Sequence, residues 1–178
     1  MHERLALPEP SPQALSRREW GFASWSRVMS ALQVSTDKDR LDVETIHRFL
    51  SAEAYWSRGI PRETVERAIA GSLCFGGYVD GRQVAFARVV TDGATFGYLA
   101  DVFVLPEHRG QGYSKTLMTA VMAHPQLQGL RRFMLATADA HGLYSLFGFL
   151  PPSRPERLME ILDPDLYTRA IAPAGSTA

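Results

Sequence analysis

Asp80-Gly81 separates two runs, Leu73–Val79 and Val84–Val90, that are rich in β-branched and aromatic residues. A two-residue joint of this kind needs left-handed backbone at both positions, which Asp tolerates and Gly adopts freely, so the runs are directed into an antiparallel hairpin. That hairpin sets the centre of a sheet. Phe96 to Leu105, entered through Asp92-Gly93, extends the meander. Upstream, Leu32 to Ser35 reads as a short strand, and Asp42 caps a helix with Ile46, Phe49 and Leu50 on one face. Pro61 opens a second helix in which Val65, Ala68 and Ile69 recur at helical spacing until Gly71 ends it. Downstream, Tyr113 to His124 is helical, Phe133 to Ala136 a short buried strand and Ala140 to Phe147 a short helix. Phe149 begins a last extended segment that takes in Leu158 to Leu162. The predicted order, β-α-α-β-β-β-α-β-α-β, describes an α/β chain with a mixed, mostly antiparallel β-sheet flanked by α-helices.

Composition narrows the function. The chain has 178 residues and is 46% hydrophobic, which suits one core, placed at 32–178. An arm at 1–31 precedes it: Met1 to Ser16 alternates Pro with small and charged residues, and Trp20, Trp25, Val28 and Met29 have loosely helical spacing. That stretch suits an extra helix packed on the domain or a partner contact. With 19 Lys plus Arg against 19 Asp plus Glu, no whole-molecule field draws the chain to nucleic acid or an acidic membrane. Cys74, the single cysteine, lies in an apolar run and reads as a buried thiol, and no apolar stretch or leader directs the chain to a membrane. The expected location is the cytoplasm. His2, His47, His108, His124 and His141 lack zinc-ligand spacing, so metal catalysis is not expected. Oligomeric state is open at this level.

The segment Val104-Leu105-Pro106-Glu107-His108-Arg109-Gly110-Gln111-Gly112-Tyr113-Ser114 joins an apolar strand end to an amphipathic helix start. N–H groups at a helix start lack intrahelical acceptors and carry the positive end of the dipole, so an anion fits there. Taken alone, a Gly-x-Gly is equally a tight turn needing positive φ. The glycine-Lys-Ser/Thr of a P-loop and the third glycine of a dinucleotide fold are both missing: Lys115 follows Ser114, and it also stands three residues beyond Gly112.

Arg109-Gly110-Gln111-Gly112-Tyr113-Ser114, after a Val-x-Pro strand end, resembles the Arg/Gln-x-x-Gly-x-Gly/Ala signature of the GNAT superfamily of acyl-CoA transferases, departing from it only at Ser114. The likeness runs from about Leu32 to Phe149. It implies acetyl-CoA as cosubstrate, with Arg109, Gly110, Gln111, Gly112, Tyr113, Ser114 and Lys115 at the pyrophosphate. It also implies main-chain bonds from Val102, Phe103 and Val104 to the pantetheine arm. A second segment, Ala140 to Phe149, is similar to the superfamily's Ala, three residues, Tyr, three residues, Gly-Phe; this implies Tyr144 as the proton donor to the leaving thiolate. A phenol with pKa near ~10 keeps its proton at neutral pH yet can donate to a developing anion. Where the superfamily often carries a cofactor-binding Asn, this chain has Thr137.

The implied reaction is acetylation of an amine, on a small molecule or a peptide, by direct attack in a ternary complex. The acceptor ammonium must first lose a proton. Arg131 to Ala138 holds no carboxylate, so Asp101, on the same alternating face as Phe103, is the expected base, with a sheet hydrogen-bonding role as its equal alternative. Asp139 is expected to cap the Tyr144 helix, His141 to sit on a solvated face and Glu107 to be solvated; Glu53, Tyr55 and Trp56 are candidates for the acceptor wall. A non-catalytic acyl-CoA sensor and a protein-interaction module are the alternative functions.

Overall fold

A computed structural model of the chain describes residues 31–169. The expected arm and its helix around Trp20 and Trp25 lie outside these residues. The elements are β1 (Gln33–Ser35), α1 (Val43–Ala52), α2 (Arg62–Ala70), β2 (Leu73–Val79), β3 (Arg82–Thr91), β4 (Phe96–Val104), α3 (Tyr113–Ala123), β5 (Arg132–Met134), α4 (His141–Ser145) and α5 (Leu166–Arg169). The strands lie in the order β1-β2-β3-β4-β5, antiparallel up to β4 and parallel between β4 and β5.

Local signals act as the residue types dictate. Asp80 has φ 49° and Gly81 φ 79°, so both hairpin positions are left-handed as the twist of the flanking strands requires. Asp42 accepts the Thr45 N–H at 2.9 Å and the Thr45 hydroxyl at 2.7 Å, which starts α1 and holds the carboxyl below its ordinary range. Pro61 precedes α2 and Gly71 ends it. Alternation along the strands divides the core between the two faces of the sheet. Phe75, Ala87 and Val104 pack with Leu117, Met118 and Val121 of α3. Their chain neighbours Cys74, Phe86 and Phe103 pack with Ile46, Phe49 and Leu50 of α1 and Val65 and Ile69 of α2.

Two irregularities matter for function. Register places Ala87 of β3 opposite both Asp101 and Val102 of β4, a bulge in which Asp101 takes φ 52°. The second is that β4 and β5 part already before the bulge: their pairing covers only Phe96–Tyr98 against Arg132–Met134, while β4 runs on to Val104. A wedge opens between them.

The expected final strand does not form among the described residues. Phe149 leads into Pro151 and Pro152, a 3-10 turn spans Pro155–Arg157, and Leu158 to Leu162 belongs to no helix or strand. Prolines lack the N–H a ladder needs, so this segment does not pair with β5. The expected helix at Ala140 to Phe147 is also shorter, His141–Ser145, and closes in turns around Gly148 at φ 86°.

Candidate active site

The wedge between β4 and the chain after β5 is a cleft of about 340 Å³. One wall is Val102 to Val104 with Arg109, Gly110, Gly112, Tyr113 and Ser114, the opposite wall is Ala140, Leu143 and Tyr144, and Glu53, Tyr55 and Trp56 close the end toward α1. The two segments marked in the sequence are thus brought face to face.

Each wall is set by its own chemistry. Gly110 has φ 74° and Gly112 φ 80°, and a Cβ at either would meet no protein atom within 4 Å, so the backbone conformation, not crowding by the protein, demands glycine there. Arg109 donates from Nε to the Val104 carbonyl at 3.0 Å, tying the turn back to the strand. Gly112 is the residue before α3, and its carbonyl accepts the Lys115 and Thr116 N–H groups, so the positive end of the α3 dipole is directed at the cleft. Lys115 and Gln111, expected at the pyrophosphate, belong to the same turn but do not line the cleft; Lys115 is exposed.

Tyr144 is 8% exposed and its ring packs 6.1 Å from that of Phe149. Burial, then the nearby Asp139 carboxylate and Tyr55, push the phenol up to about 12, so it stays protonated throughout the neutral range. Thr137 lines a neighbouring groove instead of the cleft, and its Oγ1 accepts the Ala140 N–H at 3.0 Å. The expected cap from Asp139 is absent: Ala140 holds the cap position of α4 with no side-chain bond, and the Thr137 hydroxyl satisfies the N–H at this turn.

Asp101 lies on the α1–α2 face with Phe103, as alternation predicts, but its carboxylate is already engaged. Arg88 Nε donates to Oδ2 at 2.5 Å and Trp56 Nε1 donates to Oδ1 at 3.1 Å. The side chain lines a small cavity under the bulge, with Ile46, Leu50 and Arg88, and not the cleft that holds Tyr144. Arg88 is the residue that sequence reasoning missed, although a lone guanidinium within the apolar run Val84–Val90 signals a partner across the sheet. Arg88 also donates to the Ser72 hydroxyl at 3.2 Å.

The remaining candidates fall into place around these. Tyr55 accepts the Ala138 N–H at 3.0 Å, spanning from the α1–α2 loop to the loop before α4, and stacks edge-on against Trp56 at 5.0 Å. Glu53 lines the cleft, whereas Glu107 and His141 are exposed outside it. Cys74 is buried, and desolvation raises its thiol to about 11, the opposite of what an activated nucleophile needs. No helix among the described residues is long and apolar enough to cross a membrane.

Comparison with known proteins gives the family and the fold. A solved GNAT-family protein from Xanthomonas campestris pv. campestris is 65% identical, with a TM-score of 0.77 over 79% of this chain and 99% of its own. A relative from Gibberella zeae, classed as an acetyltransferase, is 36% identical over 133 residues, 62% of this chain and 74% of the relative. The fold is shared more widely: N-acetylglutamate synthase from Neisseria gonorrhoeae, solved with coenzyme A and L-arginine, is 18% identical with a TM-score of 0.57 over 74% of this chain and 30% of that protein. The model of the acetyltransferase (GNAT) family matches residues 43–149, which span both walls of the cleft, and the chain belongs to that family.

Proposed function

We propose that the chain moves an acetyl group from acetyl-CoA to an amine by direct attack, both substrates meeting in the wedge. The observation that carries this reading is the placement of Tyr144 opposite the Gly110–Ser114 turn in one cleft. The residues fit the cosubstrate: a turn with two left-handed glycines at a helix start suits a pyrophosphate, and the unpaired side of β4 from Leu99 to Val104 offers main-chain groups to an amide-bearing arm. Acetyl-CoA supplies the activated acyl group.

The chain's own residues then have separate tasks. N–H groups on the unpaired side of β4 between Val102 and Val104, just past the bulge, are the candidate donors to the thioester oxygen as it gains charge. Tyr144 gives its Oη proton to the departing sulfur as the carbon–sulfur bond breaks and the carbon–nitrogen bond forms, and recovers a proton from solvent. An acceptor ammonium must release its proton before attack. Glu53, which lines the cleft, is better placed to assist than Asp101, whose carboxylate lies outside the cleft and already accepts from Arg88 and Trp56. Asp101 instead holds Trp56 in the acceptor wall.

The test is calorimetric titration with acetyl-CoA followed by turnover against a panel of primary amines and peptide N-termini. Saturable binding with acetylated product is the expected result. Binding without turnover on any amine would make the chain an acyl-CoA sensor, and no binding would reject the reading.

A further inference from the structure

The ladder between β4 and β5 ends at Tyr98 and Met134, so main-chain bonds no longer fix the separation of the two cleft walls beyond that point. Two neighbouring aromatics in the α1–α2 loop reach across the gap. Trp56 is tied to the β4 side: its Nε1 donates to Asp101 Oδ1 at 3.1 Å, at the bulge. Tyr55 is tied to the other side: its Oη accepts the Ala138 N–H at 3.0 Å, in the loop that leads into α4 and Tyr144. The two rings meet edge to face with centroids 5.0 Å apart. Asp101 is itself fixed by Arg88 Nε at 2.5 Å, which anchors the β4 tether in the sheet. Consecutive Cα atoms lie ~3.8 Å apart, so an outward move of either wall must break a tether or drag the loop with it.

Both rings line the cleft, yet Tyr55 is 57% exposed and Trp56 44%, so the pair stands at its mouth and not in its floor. We propose that Tyr55 and Trp56 determine acceptor specificity: an aromatic bridge tethered to both walls sets the width of the acceptor entrance. It selects a small primary alkylamine with an unbranched carbon next to nitrogen, arriving as its ammonium. Amines on a branched carbon, peptide N-termini among them, are disfavoured. This inference rests on the acetyl-transfer reading of the same cleft.

Size and charge define that class. The cleft holds about 340 Å³, the low end of the ~300–1,000 Å³ of small-molecule sites, and the thioester end of the cosubstrate takes part of it. Little room is left for an acceptor. Among the described residues Glu53 is the one carboxylate lining the cleft, and it lies at the end formed by Tyr55 and Trp56; His108 and Arg109 belong to the turn before α3. A carboxylate beside two aromatic rings favours an organic cation. A branched carbon next to nitrogen brings a second substituent to the entrance, and one methylene-sized group in a fitted site changes kcat/KM by ~10- to 200-fold. The tethers differ in strength: a neutral hydrogen bond favours the held position by ~2- to 10-fold and one to a carboxylate by ~10- to 100-fold, so Trp56 carries the larger share.

The test compares kcat/KM for n-butylamine and its isomer sec-butylamine, which differ only in branching at the carbon that bears nitrogen, in the wild type, Tyr55→Phe and Trp56→Phe. Each substitution keeps an aromatic ring and removes one tether. The wild type should prefer n-butylamine by at least ~10-fold. That preference should fall by ~2-fold or more in Tyr55→Phe and be nearly lost in Trp56→Phe, with acetyl-CoA affinity unchanged in calorimetry. Hydrogen exchange at the Ala138 amide should quicken in Tyr55→Phe, a readout that needs no turnover. Equal kcat/KM for the two isomers in the wild type, acetylation of peptides alone, a preference unchanged in both variants, or equal Ala138 exchange in wild type and Tyr55→Phe would each overturn the bridge and leave the transferase reading standing. Acetyl-CoA binding with no turnover on any amine would reject that reading and this inference together.

Discussion

Tyr144→Phe removes one oxygen and keeps a ring that fills the wall of the cleft. The ring packs beside Phe149 and remains buried in the variant, so the transfer term of the core is nearly unchanged. Loss of a hydroxyl costs about 1 kcal/mol at most where it makes one ordinary hydrogen bond, or a Tm shift of about 2–4 °C in a chain of this size. Loss of a positioned general acid lowers the chemical step by ~10² to 10⁴, equivalent to about 3–5 kcal/mol of barrier. The two effects therefore differ enough to separate. Because burial raises the phenol to about 12, no pH in the ordinary assay range deprotonates it, and the wild-type rate should show no alkaline decline from this group below that region. Single-turnover measurement with saturating acetyl-CoA isolates the chemical step from product release. The expected outcome is a collapse of that rate with intact acetyl-CoA affinity and a Tm shifted by only a few degrees. An unchanged single-turnover rate in folded Tyr144→Phe protein would refute the assignment of Tyr144 as proton donor.

Three further outcomes follow from the same geometry. Gly112→Val forces a β-branched residue to φ 80°, at a cost of about 1–2 kcal/mol or more, and should weaken acetyl-CoA binding in calorimetry; unchanged affinity in the folded variant would remove the glycine turn from the cofactor site. Desolvation of Cys74 raises its pKa from the ordinary 9.0 to about 11, so the native state holds this proton more tightly than the unfolded chain does. Stability from this source is complete below pH 9 and is lost as pH rises toward 11; in urea titrations Cys74→Ala should flatten that decline, and an equally steep decline would show that another group causes it. Asp101→Asn leaves Arg88 without its carboxylate and weakens the hold on Trp56, so the acceptor KM should rise more than kcat falls, with the kcat pH profile unmoved; a shifted kcat profile would return Asp101 to the role of base.

Short-range chemistry made much of this molecule legible from its residues alone. Asp80-Gly81 dictated the central hairpin because the turn needs two left-handed residues, and Asp42, Pro61 and Gly71 bounded the first two helices through caps that act within four residues. The Gly110–Gly112 turn was readable for the same reason, since the order strand, glycine, helix start is itself the local requirement for an anion site. What depended on distant partners was not readable. The bulge at Asp101 exists only in the register of β3 against β4, and the carboxylate's availability was decided by Arg88 across the sheet and Trp56 after α1. The fate of Leu158 to Leu162 was also beyond local pattern: its composition promises a strand, but a strand forms only where an edge pairs with it, and among the described residues this segment has no strand partner. The sequence determined which segments form helices, hairpin and anion-binding turn, because those choices are settled by neighbours along the chain; the tertiary structure decided which carboxylate faces the cleft and which strand edge stays open, because those are settled by residues that meet only after folding.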